Sequence, residues 1–347
     1  MKVGIDVSPL KTGHQFRGIG IYTQNLLRSF QNLKIVDFSP KLIEKGEIPK
    51  DIDLIHYPFF DLFFLTLPFS KVKPTVVTIH DVIPLIFPEA FMPGLRGKVK
   101  LEMQKLSLKG VKGIITDSES SKKDIFNYLN FPKEKIYVVP LAPGEEFKKI
   151  NDKNLLDKTK KKYNLPDDFV LYVGDVNYNK NIPGLIKAFA EIKNQNLKLV
   201  LVGKAFLNKE IKETQEILEL VKSLGLEKRV IFLGWVSPEE LVAIYNQATV
   251  YCQASFYEGF GLPVLEAMAC GCPVVAADNS SLREVCGSVA IMVKADTIYS
   301  IAEGIKLLAN NKAKREELSQ KGLEWVKNFS WEKTAKKTYE VYKEMVK

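Results

Sequence analysis

Short apolar, β-branched runs alternate with stretches of helical periodicity along the whole chain. The first series lies at residues 3–7, 52–56, 75–79, 113–116 and 136–139, and a second at 169–173, 197–202, 230–233, 249–252, 273–276 and 289–292. Runs without polar alternation, separated by amphipathic helices, predict parallel strands buried on both faces and joined by crossover helices. Between the two series, Pro140, Pro143 and a lysine-rich, apolar-poor stretch through Lys162 predict a linker. Two α/β domains are therefore expected, over residues 1–160 and 161–330. Helix starts are well marked. Asn181 stands as an N-cap before Pro183, with Ile182, Leu185, Ile186 and Phe189 at helical spacing. Ser237-Pro238-Glu239-Glu240 forms a capping box. A last helix begins near Trp331, after the Asn328-Phe329-Ser330 break.

Length and composition sharpen this picture without changing it. The 347 residues suit two domains, and 46% apolar with 26% charged residues is the balance of a soluble globular protein. The N-terminus enters a strand pattern at once, and the apolar stretch 57–69 is interrupted by Asp61 and two prolines, short of the ~20 residues of a membrane span. A cytoplasmic protein is expected. Cys252, Cys270, Cys272 and Cys286 form no Cys-x-x-Cys pair and read as small buried apolar groups in a reducing compartment. The formal charge of +9 fits either a solvated lysine-rich surface or attraction to anions. One segment concentrates it: between Phe91 and Lys123, eight basic residues (Arg96, Lys98, Lys100, Lys105, Lys109, Lys112, Lys122, Lys123) stand against Glu102, Asp117 and Glu119. That cluster is a candidate for peripheral membrane contact. No RNP-type aromatics, zinc-finger spacing or helix-turn-helix pattern occurs, so no nucleic-acid partner is expected.

The stretch Phe256-Tyr257-Glu258-Gly259-Phe260-Gly261-Leu262-Pro263-Val264-Leu265-Glu266 carries the most chemistry. Glycines flex a loop after a strand, and proline then opens a helix whose first-turn amides favour phosphate. Glu258 lies in the loop, where it can accept hydrogen bonds from sugar hydroxyls. Glu266, one turn into the helix, suits a ribose diol. The same stretch resembles glycosyltransferase family 4: Glu258 to Glu266 matches its Glu-x7-Glu motif, and Ala-Met-Ala-Cys-Gly-x-Pro-Val-Val continues its wording. The resemblance covers essentially the whole chain.

That resemblance implies the GT-B architecture, two Rossmann-like doubly wound domains facing a cleft, with the C-terminal helix (331–347) returning to the first. It implies a nucleotide-sugar donor in the second domain, an acceptor at the first, and retention of anomeric configuration. Glu258 would contact the transferred sugar, Glu266 the ribose and Lys180 the diphosphate, with Gly259, Phe260, Gly261 and Leu262 in the donor loop. Where the family usually has an arginine directly after Gly174, this chain has Asp175. Gly18 and Gly20, with Arg17, correspond to a glycine pair that approaches the donor phosphate. His56 and His80 follow strands whose family counterparts carry cleft-lining histidines; the alternative for either is a buried structural histidine. Asp81, beside His80, and Val236 complete the expected substrate-binding set, and His14 receives no role. Ser118 and Ser121 cap a helix or touch ligand. Asp51-Ile52-Asp53 precedes a strand, away from the ligand side of a parallel sheet, so no essential metal is expected and no cofactor beyond the nucleotide-sugar co-substrate.

Residues 79–85 and Phe87-Pro88-Glu89 look like mannosyltransferases of cell-surface polysaccharide assembly. The expectation is transfer of mannose from GDP-mannose to a glycan or lipid-linked acceptor at the inner face of the cytoplasmic membrane. A nucleotide-sugar epimerase or phosphorylase of the same architecture, or a non-catalytic nucleotide- or nucleic-acid-binding protein, is the alternative.

Overall fold

A computed structural model describes residues 1–11, 18–33, 35, 38–44 and 48–347. Arg17 and His14 lie outside the described residues. The chain forms two compact units, residues 1–142 with 329–347, and residues 143–328.

The first unit is built on six parallel strands: β1 (Lys2–Asp6), β2 (Ser39–Ile43), β3 (Leu54–Tyr57), β4 (Thr75–Thr78), β5 (Gly113–Thr116) and β6 (Ile136–Val138), in spatial order β2-β1-β3-β4-β5-β6. Strands β4 and β5 are buried at every position, the mark of a sheet covered on both faces. The sequence pattern misses β2, whose Ser-Pro-Lys start is polar; it stands at the sheet edge, where proline is tolerated. The helix Trp331–Val346 belongs to this unit and packs through Tyr342 against Phe30, their rings 5.9 Å apart.

The second unit holds β7 (Phe169–Val173), β8 (Lys198–Val202), β9 (Val230–Leu233), β10 (Val250–Gln253), β11 (Val274–Ala277) and β12 (Ile291–Val293), ordered β12-β11-β10-β7-β8-β9, again all parallel. The chain runs outward from β7 to β9 and then returns to β10 on the other side. Connections after β7 and β10 therefore diverge and leave a crevice at their carboxyl ends, where open α/β sheets bind ligands.

The division at Ala142 lies eighteen residues before the expected boundary at 160. The supposed linker contains a helix, Lys153–Tyr163, capped by Asp152. It belongs with the second unit because the Tyr163 hydroxyl donates to Glu240 at 2.7 Å on the helix Pro238–Gln247. That second helix carries the expected Ser237–Glu240 capping box.

Candidate active site

Strands β7 and β10, adjacent at the point where strand order reverses, deliver Lys180 and Glu258. The two loops are stitched together by asparagines. Phe256 N donates to the Asn179 carbonyl at 2.8 Å, and Asn179 Nδ2 donates to the Tyr257 carbonyl at 2.9 Å. Asn181 does start a helix, but its side chain caps nothing there: with φ of 53° it turns Nδ2 to the carbonyls of Ala254 and Ala295, at 2.9 and 2.8 Å. The far side of the Glu258 loop is fixed by residues after β11. Glu258 N donates to Ser280 Oγ at 3.0 Å, and Ser281 Oγ donates to the carbonyls of Glu258 and Phe260, both at 2.9 Å.

Held this way, Glu258 is only 5% exposed. Lys180 Nζ bridges its two oxygens at 3.0 and 2.7 Å. Gln253 Nε2 and Ser255 Oγ each donate to Oε1 at 2.7 Å, and the Tyr251 hydroxyl fixes the Gln253 amide by donating to its oxygen. Oε1 thus takes three donors while Oε2 takes only Lys180, so Oε2 keeps room to accept from a ligand hydroxyl. Two charges removed from water in this way are stabilised by such additional hydrogen bonds.

Beyond the pair, Gly261 sits at φ of 103°, a conformation in which an L side chain is strained, and opens the helix Leu262–Ala269 with no side-chain cap and Pro263 in its first turn. The uncapped amide end next to Glu258 is an anion site in form. Glu266, four residues into this helix, is half-buried and accepts from the Tyr245 hydroxyl at 3.0 Å. Burial drives its carboxyl up to about 7, the Tyr245 hydrogen bond opposing this and the Glu146 charge adding to it. Val236, after β9, is buried. Asp175 is exposed, accepts from its neighbour Val176 N at 2.9 Å and supplies no second cation.

In the first unit, the expected residues fall on the first helix and at the ends of β3 and β4. Gly18 and Gly20 are the first and third residues of the helix Gly18–Leu33, Gly18 exposed and Gly20 buried. His56 is fully buried, Nε2 against Thr78 Oγ1 at 2.8 Å and Nδ1 against the Tyr342 hydroxyl at 2.6 Å. Burial, with the nearby His80 charge, holds it down to about 3. Both ring nitrogens are therefore spent on structure, tying β3 and β4 to the helix Trp331–Val346, and the structural alternative describes this histidine. His80, after β4, pairs through Nδ1 with Asp117 Oδ2 at 2.7 Å. Asp81 accepts from Ile83 N at 3.0 Å, and Ser118 caps the helix Glu119–Leu129 by accepting from Ser121 N at 3.0 Å. Asp51 binds Lys2 and Lys41 at the opposite edge of the sheet.

Sequence reasoning did not find Gln253, Ser255, Asn179, Ser280, Ser281 or Asp117. The one local signal was polar residues closing otherwise apolar strands, as in Tyr251-Cys252-Gln253 and Ile115-Thr116-Asp117.

Two six-stranded parallel sheets with flanking helices, and a lysine–carboxylate pair beside a glycine-entered helix, define the GT-B class of sugar-transferring α/β proteins. The family model Glycosyl transferases group 1 matches residues 155–325, and Glycosyltransferase Family 4 matches residues 11–142. The chain belongs to this family. It is 30% identical over 276 residues to O-antigen chain mannosyltransferase B of Escherichia coli, covering 79% of this chain and 71% of that protein. It is 31% identical over 285 residues to the serotype-specific mannosyltransferase WbdA of Escherichia coli, covering 79% of this chain but 34% of WbdA, so it spans about a third of that relative. Among solved structures, sucrose-phosphate synthase of Thermosynechococcus elongatus superposes with a TM-score of 0.77 at 20% identity, covering 99% of this chain and 98% of that one.

Proposed function

We propose that this chain is a retaining mannosyltransferase that moves mannose from GDP-mannose to a hydroxyl of a cell-surface glycan. The Lys180–Glu258 pair at the carboxyl ends of β7 and β10 carries the reading. Support for the sugar comes from the mannosyltransferase relatives. In this reading the acceptor oxygen bonds to C1 on the face from which the diphosphate departs. The bond from C1 to the phosphate oxygen breaks with its electron pair, and the hydroxyl proton passes to the departing phosphate. The third N–H of Lys180 and the Leu262 amide at the start of the helix Leu262–Ala269 meet the developing charge, and one such donor is typically worth ~10²- to 10³-fold in rate. Glu258 Oε2 accepts from a sugar hydroxyl, and Glu266 takes the ribose. The test is transfer from a panel of nucleotide sugars, with release of free nucleoside diphosphate followed alongside. Selective turnover of GDP-mannose with the α-configuration kept supports the reading; turnover of another donor, or inversion, removes it.

The acceptor is lipid-linked in this reading. The helix Gly94–Ser107 exposes Leu95, Val99 and Leu106 among Arg96, Lys98 and Lys105, a surface suited to an anionic bilayer. Among the described residues no helix is long and apolar enough to cross a membrane. Co-sedimentation with anionic vesicles that weakens with added salt is the expected outcome, and no co-sedimentation at low salt removes this part.

A further inference from the structure

Among the described residues, four other than glycine hold a positive φ: Asn130, Asn164, Asn181 and Ser280, the last at 41°. Asparagine tolerates this region, and Asn130 and Asn164 use it to end helices. Ser280 is neither an asparagine nor a helix end. It lies in the turn between β11 and the helix Leu282–Cys286, where Asp278 N donates to the Val293 carbonyl at 2.7 Å on one side and the helix begins on the other. A strained backbone persists where its surroundings fix it, and such residues gather at functional sites. The Ser280 hydroxyl belongs to a hydrogen-bonded circuit that leaves Glu258 and returns to it. It accepts from Glu258 N at 3.0 Å and donates to Asn279 Oδ1 at 3.0 Å; Asn279 Nδ2 donates to the Ser255 carbonyl at 3.0 Å, and Ser255 Oγ donates to Glu258 Oε1 at 2.7 Å. The next two residues continue the brace. Ser281 Oγ donates to the carbonyls of Glu258 and Phe260, and Leu282 Cδ2 lies 2.7 Å from where a side chain on Gly261 would begin.

We propose that Ser280 is a positioning residue for sugar transfer: its left-handed backbone aims the hydroxyl at the Glu258 amide, and the circuit through Asn279 and Ser255 sets the direction of the Glu258 carboxylate. Glycine adopts this φ without strain but carries no acceptor, so a strained serine here reflects a need for the hydroxyl rather than for the turn. Both ends of Glu258, its backbone N–H and its Oε1, are thereby tied to one turn, and Oε2 is the oxygen left to meet a sugar hydroxyl. A misplacement of about 1 Å in a contacting group costs ~10²-fold in rate, so a brace of this kind acts on turnover although Ser280 itself touches no substrate. The effect on turnover rests on the reading that Glu258 contacts the transferred sugar; the brace itself does not.

The test compares Ser280→Gly, Ser280→Ala and Asn279→Ala with the wild type by steady-state sugar transfer, thermal unfolding and hydrogen exchange at the Glu258 amide. Ser280→Gly keeps the turn, so its melting temperature changes little, strain relief offsetting the lost hydrogen bond. Its kcat falls about ten-fold while the donor KM moves by less than about two-fold, and the Glu258 amide exchanges about ten-fold faster. Ser280→Ala loses the hydroxyl but keeps the strain, so it loses as much rate and melts below Ser280→Gly. Asn279→Ala leaves Ser280 in place and opens the circuit towards Ser255, with a few-fold loss of kcat. Wild-type kcat in Ser280→Gly overturns the proposal, as does a lowered melting temperature with kcat per folded molecule unchanged, the signature of a purely structural tie. Should both Ser280 variants fail to fold, Asn279→Ala decides: a loss of kcat with KM kept supports the circuit, and no loss overturns it. If the wild type transfers sugar from no donor, the proposed function fails, while unchanged exchange at the Glu258 amide in Ser280→Gly would separately show that Ser280 does not hold the loop.

Discussion

Lys180–Glu258 and His80–Asp117 are the same object in outline: a cation and a carboxylate, 2.7 Å apart, at the carboxyl edge of a parallel sheet. Their surroundings differ. Glu258 is held by Gln253 and Ser255 in addition to Lys180, and no atom of that pair is among the unpartnered buried atoms. Every buried atom of the first pair has a partner within the fold, with Oε2 still able to accept one more hydrogen bond; in the second pair Asp117 Oδ1 has none. Distance within a pair therefore says less about its task than the hydrogen-bonding capacity left over.

The largest effect expected from breaking the complete pair is on turnover. Lys180→Ala and Glu258→Gln should each lower kcat by ~10²- to 10³-fold in a steady-state transfer assay, and the double variant should lose far less than the product of the two. Comparable activity in either single variant would show the pair to be a structural tie. Next comes the histidine that is not a site. Tyr342→Phe strands His56 Nδ1 and should destabilise the protein by ~1–3 kcal/mol in denaturant unfolding, with kcat per folded molecule unchanged. A smaller effect is a pH dependence. With its carboxyl raised to about 7, Glu266 is protonated below that pH and becomes a full acceptor for a diol only above it. Nucleotide affinity should tighten roughly ten-fold between about pH 6 and pH 8 by calorimetry, and Glu266→Gln should flatten the rise. The sign for stability is opposite. A raised carboxyl favours the protonated folded form, so its contribution is full below the ordinary glutamate value and is lost as pH rises through about 7. Least of all, Ser255→Ala removes one of the donors to Oε1 and should cost ~0.5–1.5 kcal/mol, a few-fold in rate.

What the sequence made legible was local. Gly259 to Glu266 and Lys180 announce themselves because glycine, proline and acid at that spacing suit a phosphate-binding turn better than an ordinary surface loop, and eleven of the twelve strands follow from apolar runs. Strand β2 escaped because an edge strand need not be apolar, and Pro40 and Lys41 look like a turn. The helix Lys153–Tyr163 escaped because its lysines read as a solvated linker, although Thr159 is buried beneath them. Nothing local separates His56 from His80: both are histidines at strand ends, and the difference is made by Tyr342, 286 residues away, against Asp117 just after the next strand. Likewise the Asn181 side chain serves Ala254 and Ala295, partners that only the closed fold brings near.

The helix Trp331–Val346 has a consequence for how the chain is made. The second unit interrupts the first, so residues 1–142 leave the ribosome long before the helix that covers Phe30 and engages His56. At about 5–20 residues per second, the remaining 205 residues impose a wait of roughly 10–40 s during which the first sheet lacks this cover. Cutting the chain at the unit boundary would make that wait permanent. A gene that expresses the first unit by itself needs residues 329–347 joined back to it, by permutation rather than truncation.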